Sequence, residues 1–197
     1  MAANKQALPV YTIRKLYVAR KNGDTYETPR YFSGVREIGI EKTVNTNSFY
    51  AEGQLWASNS VLAEIPVTIS LVDLFPEDEA YILGYKLSDK GGIIRDSRVT
   101  APEVAILYTE EKSDGTIDCN TLFSGQFAPG GKTSSTAEGS PNYQAKTLSA
   151  TFKPLESGIT DHTYNVANEA AAETFFETVE IPTPKTETPA EFTKKNK

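Results

Sequence analysis

One cysteine, one histidine, one tryptophan and no long apolar run mark this chain by what it has little of. With Cys119 alone, no internal disulfide forms, which points to a chain made in a reducing compartment. With one Cys and one His, a structural zinc site of the usual four ligands has no donors. The apolar stretches are too short to cross a bilayer as a helix, and the first fifteen residues lack the apolar core of a signal peptide. Basic residues form no run longer than a pair such as Lys194-Lys195 near the end, and the net charge is −6. A reader of duplex DNA needs a basic face, so that class is excluded.

What is present suffices for one folded domain. Hydrophobic residues make up 39% and charged residues 23%, a balance that supports a core. The pattern is that of strands. Residues 13–20 alternate Leu16 and Val18 against Lys15 and Tyr17. Residues 34–44 and 48–57 read as two further strands, with Asn45-Thr46-Asn47 turning the chain between them. Residues 64–72 are the clearest: Ile65, Val67, Ile69 and Leu71 share one face. Pro66 cannot donate to a ladder, which places it at a sheet edge. Residues 103–111 and 116–124 flank Asp114-Gly115, a strong hairpin signal, and 145–153 alternate again through Leu148, Ala150 and Phe152.

Two helices are expected. One runs over 76–83, with Pro76 at its first position, Glu77, Asp78 and Glu79 at the positive end of its dipole, Leu83 packing on the outside of the strands and Gly84 as C-cap. The other covers 167–179 behind Asn168 as N-cap. Residues 129–142 form a polar loop. The fold class is mainly β: a single-domain β-sandwich or open barrel with a mid-chain helix and a short C-terminal helix. The expected organisation is an N-terminal arm over 1–12, a domain over 13–180 and a flexible tail over 181–197.

Candidate chemistry is thin. Gly130-Gly131-Lys132-Thr133 resembles a phosphate loop, but Gly125 stands one residue too far away and no helix start follows. Cys119 lies in a hairpin strand and reads as a small buried apolar side chain, not a nucleophile paired with His162. Asp114 lacks the spacing of a calcium loop. Trp56 and the tyrosines lack the interleaved cations of a nucleic-acid platform, so they are assigned to sheet packing or a protein interface. No catalytic, cofactor-binding or metal residue is assigned, no cofactor is expected, and the chain is read as a non-enzyme.

The ordered series of segments, not any one residue, carries a resemblance. LYVAR at 16–20, YFSGVREIGIEKT at 31–43, FYAEGQLWAS at 49–58, EIPVTISLVDLFPEDEAYILGYKLSDKGGI at 64–93 and PEVAILYTEEKSDGT at 102–116 are together similar to major tail proteins of long, non-contractile-tailed bacteriophages, the group often called the phi13 family. The resemblance spans about residues 13–180. It implies a structural subunit that forms hexameric rings, stacked head to tail into a tail tube through which DNA passes without specific binding. It implies the chain itself as main partner, with tape-measure, distal tail and tail-terminator proteins besides, and a place in the virion tail after synthesis in the host cytoplasm. Main-chain strand addition between neighbours would cover sheet edges. A negative charge suits a channel that DNA slides through. The polar loop 129–142 and the N-terminal arm are then expected to order between subunits. Alternatives are the inner tube of a contractile or secretion-type apparatus, and a carbohydrate-binding or adhesion β-sandwich using Trp56 and the tyrosines. A hydrolase on a β scaffold lacks a convincing set of groups.

Overall fold

A computed structural model describes residues 7–131, 136 and 144–183. Its strands, in chain order, are β1 (Val10–Asn22), β2 (Thr25–Tyr26), β3 (Arg30–Phe32), β4 (Val35–Ile40), β5 (Thr43–Ala51) and β6 (Gln54–Leu71). Helix α1 (Pro76–Leu83) follows, then β7 (Lys86–Ser88), β8 (Gly92–Ile94), β9 (Val104–Lys112), β10 (Ile117–Ala128), β11 (Lys146–Lys153), β12 (Asp161–Val166) and the one-turn α2 (Glu169–Ala172). The fold is mainly β, as expected. One large antiparallel sheet runs β2-β1-β9-β10-β11-β6-β4, with β3 on β1, β12 on β10 and β5 on β6; β7 and β8 form a separate small hairpin.

The sheet curls into an open barrel because its inner face must be buried. Leu16 and Val18 on β1 share one core with Ile65, Val67, Ile69 and Leu71 on β6, four ladders away. In a flat sheet those strands would stand roughly 19 Å apart, at about 4.8 Å per ladder, and could not touch the same cluster. Ile106, Leu122, Phe127, Leu148, Ala150 and Phe152 complete the lining. Burying each large apolar side chain contributes roughly 1.5–3 kcal/mol.

At one point the backbone itself is packed. Gly125 on β10 stands opposite Phe152 on β11, and a Cβ there would come within 2.6 Å of the ring. The register of β10 against β9 shifts between Leu122 and Gly125, so this bulge seats the ring.

Helix α1 begins at Pro76 and ends at Gly84, whose φ of 74° is left-handed, as the sequence leads one to expect. Leu83 is buried, but with Ile82 it joins the inner core, so the helix completes that core instead of sitting outside it. Arg20 fixes its far end, donating to the Tyr81 carbonyl at 2.7 Å and the Ala80 carbonyl at 3.2 Å. Asp78, nearly buried, pairs with Arg30 at 2.8 Å; desolvation raises its carboxyl above the ordinary value despite the guanidinium.

Strand β9 is buried on both faces because the outer face is covered too. Leu107, Ile117 and Cys119 meet Ala172, Phe175 and Phe176 in a second cluster. Tyr17 stacks on Phe176 with ring centroids 4.2 Å apart. This explains a correction: the helix expected over 167–179 is only α2 plus a 3-10 turn at Thr174–Phe176, because the chain tightens to turn both phenylalanines onto the sheet. Asn168 does cap it, accepting from the Ala171 N–H at 3.0 Å.

Other expectations need redrawing. The first strand begins at Val10, not 13, since Val10 and Thr12 ladder onto Lys112 and Glu111 and the Ser113 N–H donates to Pro9; the N-terminal arm therefore ends before 10. Residues 34–44 and 48–57 are not two strands joined at 45–47. The strand breaks at Glu41 and Lys42, Asn45-Thr46-Asn47 lies inside β5, and the turn is Glu52-Gly53, with φ of 52° and 75°. Strand β6 is not an edge strand, since β4 and β11 flank it from Val67 onward, but at Pro66 itself the only ladder partner is Thr151 of β11. The Pro66 carbonyl accepts from the Glu41 N–H, on the side where the β4 ladder has just ended, so no donor is missed. Strands β2, β3, β7, β8 and β12 had no counterpart in the sequence reading. Most of the polar loop expected over 129–142, including Lys132 and Thr133 of GGKT, residues 1–6 and most of the C-terminal tail lie outside the described residues.

Candidate assembly surface

Residues β5 and the first half of β6 form an arm projecting from the barrel. Their antiparallel register runs from Thr43↔Glu64 to Ala51↔Gln54. The nine residues of β5 reach roughly 30 Å at about 3.3 Å each. Almost every residue of the arm is exposed on both faces. Strand β11 pairs with β6 only from Ile65 onward, so Gln54–Glu64 have one open edge, and β5 has the other.

The chemistry of the arm is graded along its length. Between residues 43 and 62 only Glu52 is charged, and there is no proline. The stem carries hydroxyls and amides: Thr46 and Ser60 face each other at 3.0 Å between oxygens, and Ser48 and Ser58 at 3.5 Å, while Asn45, Asn47 and Asn59 point to the opposite face. The tip is aromatic. Phe49 is 63% exposed, Tyr50 66% and Trp56 70%, with Leu55 beside them. A register shift between Phe49 and Tyr50 leaves Trp56 as the extra residue of a bulge.

A two-stranded ribbon with neither face covered is marginal in water. Long edges without lysine or proline are the kind that pair with another chain. Large apolar side chains clustered at such a tip mark an interaction site. Chemically, the arm offers backbone donors and acceptors on both edges, neutral hydrogen-bonding groups along its stem and an aromatic anchor.

The residues weighed from sequence fall elsewhere. Cys119 is fully buried in the outer cluster and shares a hydrogen bond with Tyr164; burial pushes its thiol up to about 11, away from thiolate chemistry. His162 stands opposite Thr121 on β12, its ring 5.4 Å from that of Tyr164. Asp114 closes its hairpin, accepting from the Thr116 N–H and hydroxyl. Glu77 and Glu79 pair with Arg30 and Arg95. Among the described residues, no three His, Cys, Asp or Glu side chains converge as metal ligands, and no helix is long and apolar enough to cross a membrane. Sequence reasoning placed Trp56 in a sheet or an interface but missed that its strand leaves the body. The available signal was the run between Lys42 and Glu64, where Glu52 is the only charge. No family model matches the chain, and no curated protein matches it.

Proposed function

We propose that this protein is a structural, non-enzymatic subunit that assembles with copies of itself, of the kind that builds a phage tail tube: hexameric rings stacked into a channel for DNA. One observation carries the reading: among the described residues, nothing covers either face or either edge of the β5–β6 arm. Main-chain pairing with a neighbouring copy would satisfy those edges, and the aromatic tip would supply the apolar anchor. A head-to-tail contact of this sort generates an open filament when it does not close on itself. The chain's −6 charge, with the only charges on the arm being Glu52 and Glu64, supports a lumen that does not retain phosphate. Tape-measure, distal tail and tail-terminator proteins are the further partners this reading calls for, and the virion tail its location. Electron microscopy of the purified chain across a concentration series tests it: sixfold rings or hollow tubes are expected, and a monomer at every concentration, with or without a tail-tip initiator, overturns it.

A second reading rests on the same tip. Tyr50 and Trp56 present exposed rings of the type that stack on sugars. Glycan-array binding by a stable monomer, lost in Trp56→Ser, would favour an adhesion module.

A further inference from the structure

The arm is joined to the barrel unevenly. Strand β6 passes from one to the other without a break, while its partner is interrupted at Glu41 and Lys42. At the same level the register shifts between Thr43↔Glu64 and Val44↔Leu62, leaving Ala63 as an extra residue. A break on one strand and a bulge on the other interrupt the ladder at one level, where a strand bends. Packing beneath it is loose. A cavity of about 120 Å³ lies there, lined by Ile40, Lys42, Tyr108, Asn120 and Thr163 among others.

One side-chain bond ties the joint itself to the barrel. Lys42 Nζ meets Asp161 Oδ1 on β12 at 2.8 Å, and the Thr160 hydroxyl donates to the same oxygen at 2.5 Å. Among the described residues, no other side-chain hydrogen bond or ion pair ties the arm to the barrel. Leu62 adds an apolar contact with the core at the arm's base.

We propose that the arm is hinged at Glu41–Thr43 and Ala63, and that the Lys42–Asp161 ion pair is a latch that fixes its angle in the free subunit. The latch holds the arm ready for a partner strand and yields when the partner sets a different angle, so the assembly role rests on the reading above. The hinge itself does not. A half-exposed ion pair biases such an equilibrium by about 1.5- to 5-fold, enough to set an angle and weak enough to release it.

Spin labels at Gln54→Cys on the arm and Ser149→Cys on β11, both exposed positions, report the angle as a distance at dilute concentration; Cys119 is buried and stays unlabelled. One narrow distance is expected for the native latch, a broadened or shifted one in both Lys42→Met and Asp161→Asn, and a narrow one again in the charge-swapped Lys42→Asp/Asp161→Lys pair. Distributions unchanged by either single substitution, or already broad with the latch intact, overturn the proposal. Sedimentation of the same samples separates the two ideas: a latch-dependent distance in a protein that never assembles leaves the hinge standing and removes the tube reading.

Discussion

Strand β6 is one strand with two lives. From Val67 to Leu71 it is paired on both sides, and its inward residues are fully buried. From Gln54 to Glu64 it has a single partner, and large side chains such as Trp56 stand in water. The first half obeys the rule of a barrel wall, with apolar residues on alternate positions. The second half has the open edges that a monomer normally guards with charge, proline or cover. The difference separates the part of the chain that holds the subunit together from the part that has no intramolecular reason for its composition.

Substitutions sharpen this contrast, and the largest effect belongs to the wall. Phe152→Ala empties a fully buried position and is expected to cost about 3–5 kcal/mol in urea unfolding. A loss below about 1 kcal/mol would mean the inner core is not what closes the barrel. Next comes Gly125→Ala, whose new methyl meets the Phe152 ring at 2.6 Å. Shifting the ring should cost about 1–3 kcal/mol, and the double change Gly125→Ala/Phe152→Leu should recover part of it.

A smaller effect distinguishes two carboxylates of the body. Glu110 is half-buried, and desolvation raises its carboxyl above the ordinary value of 4.5. The folded state therefore binds the proton more tightly than the unfolded chain. Its favourable contribution is complete below the unfolded value and is lost as pH rises through the folded one. Glu103 has the opposite sign: hydrogen bonds from Lys153 and Lys21 lower its carboxyl, so its contribution is present above the unfolded value and lost as pH falls through the folded one. Glu110→Gln should raise the melting temperature near neutral pH and do nothing well below the unfolded value, whereas Glu103→Gln should lower it near neutral pH. Matching signs for the two substitutions would remove burial as the cause at Glu110.

The smallest effect on stability is expected in the arm. Phe49→Ser/Trp56→Ser should leave the unfolding free energy within about 0.5 kcal/mol of the native chain, because neither ring packs against the barrel. A loss of several kcal/mol would show that the tip folds back onto the body in solution.

The wall was legible in the sequence and the arm was not, for a physical reason. Period-two alternation at Ile65, Val67, Ile69 and Leu71 exists because one face is buried, and Asp114-Gly115 and Gly84 announce backbone geometries that few residues tolerate. In the arm no face is buried, so no alternation forms. Its Asn-rich stem then imitates a turn at 45–47, while the true turn, Glu52-Gly53, relies on a glutamate at a φ of 52° that sequence seldom flags. Pro66 misled in a similar way, since a proline in a two-sided strand is tolerated only where one ladder happens to end. Strand β12 was missed because its half-exposed residues, Asp161 to Val166, show neither a clear period nor a turn signal.

The most direct test sets the native chain beside Phe49→Ser/Trp56→Ser in negative-stain electron microscopy and sedimentation over the same concentration range. The account predicts sixfold rings or tubes from the native protein and a folded monomer from the variant. Equal assembly by both would contradict it, and would move the subunit contact from the arm to the barrel.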